Sequence, residues 1–167
     1  KSLVDSYRRI RNTLRFLIGN LKNFNEKENV EYKYLPELEK FILSRIYDLN
    51  TNIKNNIDIN AYHQIYKKLL NFCSNDLSSF YFDIRKDSLY CDDKLSLKRR
   101  SSRTTLKIIF DFLTAWFAPI LCFTVEEAWL SDNLNNKESP HLREFPKPNL
   151  KWKNTNIEKK WNEIINL

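Results

Sequence analysis

The residues best suited to chemistry in this 167-residue sequence are basic, and they fall into two clusters. In the first cluster, Arg8, Arg15 and Lys22 recur every seven residues, so that on a helix they form one stripe. A helix of about 20 residues is about 30 Å long, and a cationic stripe of that length suits the phosphates of a nucleic-acid stem. The sequence therefore predicts RNA binding, and the candidate residues of both clusters are Arg8, Arg11, Arg15, Asn20, Lys22, Lys94, Lys98, Arg99, Arg100 and Arg103.

The second cluster lies at the start of a predicted helix, where cations are unfavourable. Positive charges there oppose the helix dipole, at about 0.3–1 kcal/mol each at the surface. No acidic residue lies between Asp93 and Asp111, and no apolar residue lies between Leu97 and Leu106. We therefore expect this helix start to pack on no core and to meet a polyanion instead. The alternative is that both clusters are ordinary solvated faces.

Aromatic residues add a second possible contact with RNA. Tyr34 and Tyr90 fall in or near predicted loops and could stack on unpaired bases, the alternative being that they cover edges of the core. Trp116 and Trp129, by contrast, have apolar neighbours at helical spacing. Both tryptophans are therefore predicted to be core residues.

The remaining reactive side chains form no catalytic or metal-binding pattern. His63 and His141 have no partner at the spacing of a catalytic triad or a metal site. Three cysteines at long spacings favour free thiols in a reducing compartment, and hence a cytoplasmic location. Gly19 is the single glycine, which nearly excludes glycine-rich phosphate loops. We predict no catalytic residue, no metal and no cofactor in this chain, and a monomeric state.

Apolar residues recur at helical spacing through most of the chain and predict an all-α fold. The four main stripes run from Leu3 to Phe24, Leu38 to Ile53, Tyr62 to Ile84 and Leu106 to Ile120. The third stripe slips by one residue near Asn75 and Asp76, and Pro119 should end or kink the fourth helix. Thr124 and Glu127 form a capping-box pattern for a short fifth helix. Long helices with short polar connections predict an up-down bundle of four to five helices.

The composition changes near Ser131, and we predict a domain boundary there, with the bundle over residues 1–133. Residues 134–167 would form an extended segment and the start of a following helical region, with a capping box at Thr155 and Glu158. The chain opens with Lys1 and contains no methionine, which predicts an excised piece of a longer protein. No run of 18 apolar residues is present to span a membrane.

Two stretches of sequence carry a family resemblance. The run YRRIRNTLRF at residues 7–16 resembles the opening helix of the anticodon-binding domain of isoleucyl-tRNA synthetase, a class I aminoacyl-tRNA synthetase of the bacterial type. The runs DIRKDSLYC at residues 83–91 and APILCFTVEEAW at residues 118–129 are similar to later helices of the same domain. Residues 142–146 also resemble the return strand of that family.

The resemblance implies a role in the recognition of isoleucine tRNA within a larger enzyme that attaches isoleucine to its tRNA using ATP. A catalytic domain would precede this segment, and a further region, zinc-binding in many members, would follow. ATP and zinc would then belong to those other parts. The family's topology would bring the connections near residues 19–35 and 87–100 to one distal end, where the anticodon binds. The alternatives are the same domain of a valyl- or leucyl-tRNA synthetase, or a helical protein–protein adaptor with a basic face.

Overall fold

The computed structural model describes residues 3–132 and 138–165, and within them the chain is helical without a strand. The predicted all-α bundle is thereby confirmed. Short 3-10 turns occur in the connections, at Glu26–Glu28, Tyr32–Tyr34, Pro140–Leu142 and Leu150–Trp152. The helices are α1 (Leu3–Leu21), α2 (Glu37–Asp58), α3 (Tyr62–Asn71), α4 (Phe82–Cys91), α5 (Leu97–Phe117), α6 (Cys122–Asp132) and α7 (Thr155–Ile165).

One apolar core joins the long helices, and the predicted stripes supply most of it. Helix α1 packs against α5 and α6, while α2 packs against α3, α5 and α7. The middle of the α1 stripe is fully buried, as is most of the α5 stripe. The ends of two stripes were predicted wrongly, because Leu3, Tyr62 and Ile84 are exposed. Leu3 and Tyr62 are the first residues of their helices, and Ile84 lies on the outer face of α4, between the buried Phe82 and Arg85.

A π-helical segment, Phe72–Tyr81, joins α3 to α4 in one continuous helix of residues 62–91. Each turn of a π-helix contains an extra residue, which rotates the buried face. This accounts for the slip in phase that the sequence shows at Asn75 and Asp76. Two serine hydroxyls follow the wider pitch: Ser78 Oγ donates to the Cys73 carbonyl (2.8 Å) and Ser79 Oγ donates to the Ser74 carbonyl (2.9 Å).

At the corner between α5 and α6, the predicted end of α5 is confirmed and the predicted start of α6 is wrong. Helix α5 ends at Phe117, two residues before Pro119, as predicted. Helix α6 already begins at Cys122, so Thr124 lies inside it and the predicted capping box is wrong. Trp116 and Trp129 are both buried, which confirms them as core residues. The Trp129 ring stacks on Phe110, with their centroids 6.2 Å apart.

The described part of the C-terminal segment packs along the outside of the bundle. The Trp161 ring lies against Phe41 and Phe80, with ring centroids 5.8 Å and 5.9 Å apart. The buried Ser44 hydroxyl donates to Glu158 and accepts from the Asn154 backbone N–H. Helix α7 and the residue before it are therefore fastened to α2 by apolar and polar contacts. The predicted domain boundary at residues 133 and 134 lies outside the described residues and stays a prediction.

Two local predictions for this segment are wrong. Residues 142–146 were expected as a strand, but Leu142 ends a 3-10 turn and residues 143–146 are irregular, because no neighbouring strand pairs with them among the described residues. The cap of α7 is Asn154 and not Thr155, since the Asn154 Oδ1 accepts from the Ile157 backbone N–H (3.1 Å). Glu158 instead turns towards Ser44 and Lys153.

Candidate nucleic-acid interface

The basic residues of α1 are exposed along most of its length. Arg8, Arg11 and Arg15 all lie on the solvent side of this helix, and Lys22 is exposed just after its end. Arg8 approaches Asp5 at 3.8 Å, a long ion pair between two exposed side chains. Within residues 3–132 and 138–165, the guanidinium groups of Arg11 and Arg15 have no hydrogen-bond or ion-pair partner. These cations are available to an anionic ligand.

Helix α1 also forms one wall of an open groove, and α6 forms the other. The groove has a volume of about 350 Å³ and contains both Arg11 and Arg15 at its border. Its lining is completed by Leu14, Ile18, Gly19, Thr124, Glu127, Ala128 and Ser131. The α1 arginines therefore border a concave surface, which offers more contact area to a ligand than a flat helix face.

The start of α5 differs from the expectation that it packs on no core. Four small polar residues there, Ser101, Ser102, Thr104 and Thr105, are buried. Their small size brings the backbone of α5 close to its neighbours, and Thr104 Oγ1 accepts a hydrogen bond from the Val30 backbone N–H (3.1 Å). The prediction that this helix start packs on no core was therefore wrong.

The three arginines of α5 all donate to backbone carbonyls of neighbouring segments. Arg99 Nη1 donates to the Asp92 carbonyl (2.7 Å), in the connection between α4 and α5. Arg100 Nε donates to the Glu28 carbonyl (3.3 Å), in the connection between α1 and α2. Both guanidinium groups are half-buried by these contacts. Their charge faces protein oxygen atoms that carry partial negative charge.

Arg103 makes the largest set of contacts in this group. Its Nε and Nη2 donate to the Asn20 and Lys22 carbonyls (3.2 and 3.0 Å), at the unpaired end of α1. Its Nη1 donates to the Glu28 carboxylate (2.6 Å), and its guanidinium lies over the Phe24 ring at 5.4 Å. Carbonyls at a helix C-terminus are otherwise unsatisfied and attract cations. Arg103 therefore caps α1 and holds the following loop.

The loop that these arginines hold, residues 22–30, is also ordered from within. The Asn25 side chain accepts from the Lys27 backbone N–H (3.0 Å), and the Glu28 carboxylate accepts from the Asn25 backbone N–H (3.3 Å). Asn23 has a positive φ of 59°, which asparagine tolerates better than most residues. Lys22 and Lys27 remain exposed on this ordered loop.

The other predicted RNA-binding residues near the start of α5 also divide into side chains that are exposed and side chains that are bonded within the chain. Lys94 and Lys98 are exposed, and neither side chain has an ion-pair partner among the described residues. The Asn20 side-chain amide donates to the Phe16 carbonyl (2.9 Å) within α1. Tyr34 and Tyr90 are 59% and 65% exposed, so both rings are open to a ligand, although Lys33 Nζ lies 4.5 Å from the centre of the Tyr34 ring.

A buried ion pair, which the sequence did not predict, lies beneath the start of α5. The Glu39 carboxylate accepts two hydrogen bonds from the Arg85 guanidinium (2.6 and 2.7 Å), and it also accepts from Tyr81 and Ser102 (both 3.3 Å). Burial raises the pKa of the Tyr81 hydroxyl, so it remains a donor to Glu39. The pair links α2, α4 and α5. Glu39 and Arg85 place opposite charges on two otherwise apolar helix faces, and this is the sequence signal that could have revealed the ion pair.

The thiol and imidazole groups are dispersed. Cys73 is buried, and burial raises the pKa of its thiol to about 12, which agrees with the small apolar role of this position. His63 is exposed, and His141 Nε2 lies 3.6 Å from a Glu126 carboxylate oxygen. In the described part of the chain, no three of the histidine, cysteine and acidic side chains converge as metal ligands. Nor is any described helix both long and apolar enough to cross a lipid bilayer.

The fold and the surface charges together define a helical bundle whose first helix carries exposed arginines, a class suited to binding a structured polyanion. Residues 39–167 match the family described as "Anticodon-binding domain of tRNA ligase", and the chain belongs to that family. The resemblance predicted from the sequence is thereby confirmed.

Individual relatives point to one branch of that family. The chain is 51% identical over 163 residues to the isoleucine–tRNA ligase of Pelagibacter ubique, in an alignment that covers 96% of this chain and 18% of the relative. It is 45% identical over 161 residues to that of Agrobacterium fabrum and 43% identical over 159 residues to that of Ruegeria pomeroyi. These two alignments cover 96% and 95% of this chain, and 16% of each relative. The chain thus spans less than a fifth of the length of the curated relatives it matches.

Proposed function

We propose that this chain binds the anticodon stem-loop of isoleucine tRNA as one domain of an isoleucine–tRNA ligase. The parent enzyme would join isoleucine to its tRNA with ATP in the cytoplasm. ATP, and zinc where a zinc-binding region is retained, would be bound by other parts of that enzyme. The single observation that carries the proposal is the set of unpaired, exposed cations on α1, in a chain that belongs to the anticodon-binding family.

The division of the basic residues supports a specific arrangement of contacts. Arg8, Arg11 and Arg15 on α1 would neutralise phosphates of the stem, which fixes the position of the RNA without reading its sequence. Near the start of α5, the exposed lysines at positions 22, 94 and 98 would contact phosphates near the loop of the RNA. The rings of Tyr34 and Tyr90 would stack on unpaired bases, as aromatic residues commonly do in RNA complexes.

The geometry at the start of α5 refines the list of predicted RNA-binding residues. Arg103 has all three guanidinium nitrogens bonded within the chain, and Arg100 holds the same loop. We assign both to positioning the loop of residues 22–30, which then presents Lys22 in a fixed geometry. RNA contact at this end would therefore be made mainly by lysines.

The test is binding of the 167-residue chain to fluorescein-labelled tRNAs for isoleucine, valine and leucine, followed by anisotropy at several salt concentrations. Isoleucine tRNA should bind most tightly. In the double variant Arg11→Gln/Arg15→Gln, the magnitude of the salt slope should fall by about 0.7–0.9 for each phosphate that is no longer neutralised. Lys67→Gln, which removes a charge from an exposed site on α3, is the matched control and should leave the slope unchanged.

Three results would contradict the proposal in different ways. Tighter binding of valine or leucine tRNA would move the chain to another branch of the family. An unchanged slope in the Arg11→Gln/Arg15→Gln variant would remove α1 from the interface. No binding of any tRNA would favour the helical adaptor, whose basic face would meet an acidic protein.

A further inference from the structure

The single glycine of the chain lies inside a helix, where glycine is unfavourable. Gly19 belongs to α1, is exposed and does not have a positive φ. Glycine in a helix loses more conformational entropy on folding than alanine does, and it buries no side chain in return. No turn or left-handed backbone at this position requires glycine. Its presence therefore needs another explanation.

Packing inside the chain does not supply that explanation. A Cβ built on Gly19 would meet no atom of a neighbouring segment within 4 Å among the described residues. An alanine would consequently fit this chain without displacing anything. The missing side chain instead widens the groove between α1 and α6, which Gly19 lines. Glycine is typical of sites where a second molecule must approach the backbone closely.

The lining of this groove indicates the chemistry of such a molecule. Arg11 and Arg15 lie at its border, one helical turn or about 6 Å apart along α1, and neither is paired within the described residues. Glu127 on the opposite wall is an exposed carboxylate and can accept a hydrogen bond from a hydroxyl. Buried Leu14 and Ala128 give the floor an apolar character. Two cations, one acceptor and an apolar floor match the phosphates, the 2′-hydroxyl and the ribose face of RNA.

We propose that the groove between α1 and α6 holds one strand of the RNA sugar-phosphate backbone, and that Gly19 is glycine so that this strand can lie close to α1. The inference rests on the proposed function and adds a specific subsite to it. Larger side chains at position 19 would lift the strand away from Arg15. Their effect on RNA binding is opposite in sign to their effect on the stability of the helix.

The test uses Gly19→Ala and Gly19→Gln in the 167-residue chain. Both variants should raise Tm, by about 1–3 °C, because both residues favour a helix more than glycine does. Affinity for isoleucine tRNA should nevertheless fall, by about threefold for alanine, since one methyl group is felt at a close-packed contact. For glutamine we expect at least a tenfold loss and a salt slope smaller in magnitude by about 0.7–0.9.

The control is His63→Ala, which also replaces an exposed helical residue with a better helix former, but on α3 and away from the groove. Its RNA affinity should match that of the unmodified chain. If Gly19→Ala and Gly19→Gln both bind RNA as the unmodified chain does, the groove is empty in the complex and the inference is wrong, while the proposed function stands. If the unmodified chain binds no RNA, both fail together.

Discussion

The arginines of α1 and those of α5 are the same residue type in two opposite situations. On α1, Arg11 and Arg15 extend into solvent beside a groove and bind nothing in the described chain. On α5, Arg100 and Arg103 are bonded to the carbonyls and a carboxylate of the loop at residues 22–30. The sequence alone marks both sets as one kind of site. The structure separates them into groups that can contact a ligand and groups that hold a loop.

The contrast shows that helix-terminal carbonyls compete with phosphates for arginine. The end of α1 offers unsatisfied carbonyls at Asn20 and Lys22, and α5 brings Arg103 within 3.2 Å of them. A guanidinium can donate five hydrogen bonds in a fixed plane, so one arginine can satisfy several acceptors of a loop. Carbonyls along the middle of α1 are instead bonded within the helix itself. The arginines beside them therefore stay available.

The largest loss of stability should come from breaking the buried ion pair between Glu39 and Arg85, beneath the start of α5. Arg85→Met would leave the Glu39 carboxylate buried without its cation, which typically costs about 3–5 kcal/mol of stability. Urea denaturation of the variant measures this loss. Lys86→Met, at the next position but in an exposed pair with Asp83, is the control and should change stability by less than about 0.5 kcal/mol. Equal effects at the two positions would contradict the assigned burial of Arg85.

A smaller loss of stability is expected when Arg103 is replaced, and it can be compared directly with the effect of replacing Arg11 on α1. Arg103→Met should lower the free energy of unfolding by about 1.5–3 kcal/mol, because it removes a charged, mostly buried donor to Glu28. Arg11→Met should leave stability within about 0.5 kcal/mol of the unmodified chain. With isoleucine tRNA, Arg103→Met should weaken binding without changing the salt slope, since a positioning residue neutralises no phosphate. A reduced slope would make Arg103 a direct RNA contact.

The smallest effect is expected from the ion pair between Asp5 and Arg8 on α1. Asp5→Asn removes the partner of Arg8, but both side chains are exposed and 3.8 Å apart. Such pairs contribute about 0.2–0.5 kcal/mol at most. We expect a change in urea midpoint near the limit of detection, with Ser6→Asn, its neighbour on α1, as the control. A loss of stability above about 1 kcal/mol would show that Arg8 is held by contacts within the chain, as the arginines of α5 are.

Much of the fold could be predicted because local periodicity records it. Stripes of apolar residues located the long helices, and a slip in phase at Asn75 marked the π-helical segment. Pro119 marked the end of α5 for a local steric reason. The capping prediction at Thr155 failed because Asn154 caps that helix instead. The one at Thr124 failed because α6 begins two residues earlier, and the Thr124 hydroxyl lies 3.1 Å from that of Tyr7. The burial of the small polar residues at the start of α5 could not be predicted, since such residues occur both at surfaces and in close helix contacts.

The helical class, the family and the positions of the basic residues could all be read from the chain, because they depend on residue type and spacing. Which cations are free could not, since that depends on acceptors brought from distant segments: Glu28 reaches Arg103 across 75 positions of sequence. The same holds for Glu39 and Arg85, which meet only once three helices pack together. Charge is a property of each residue, whereas its availability to a ligand is a property of the packed fold.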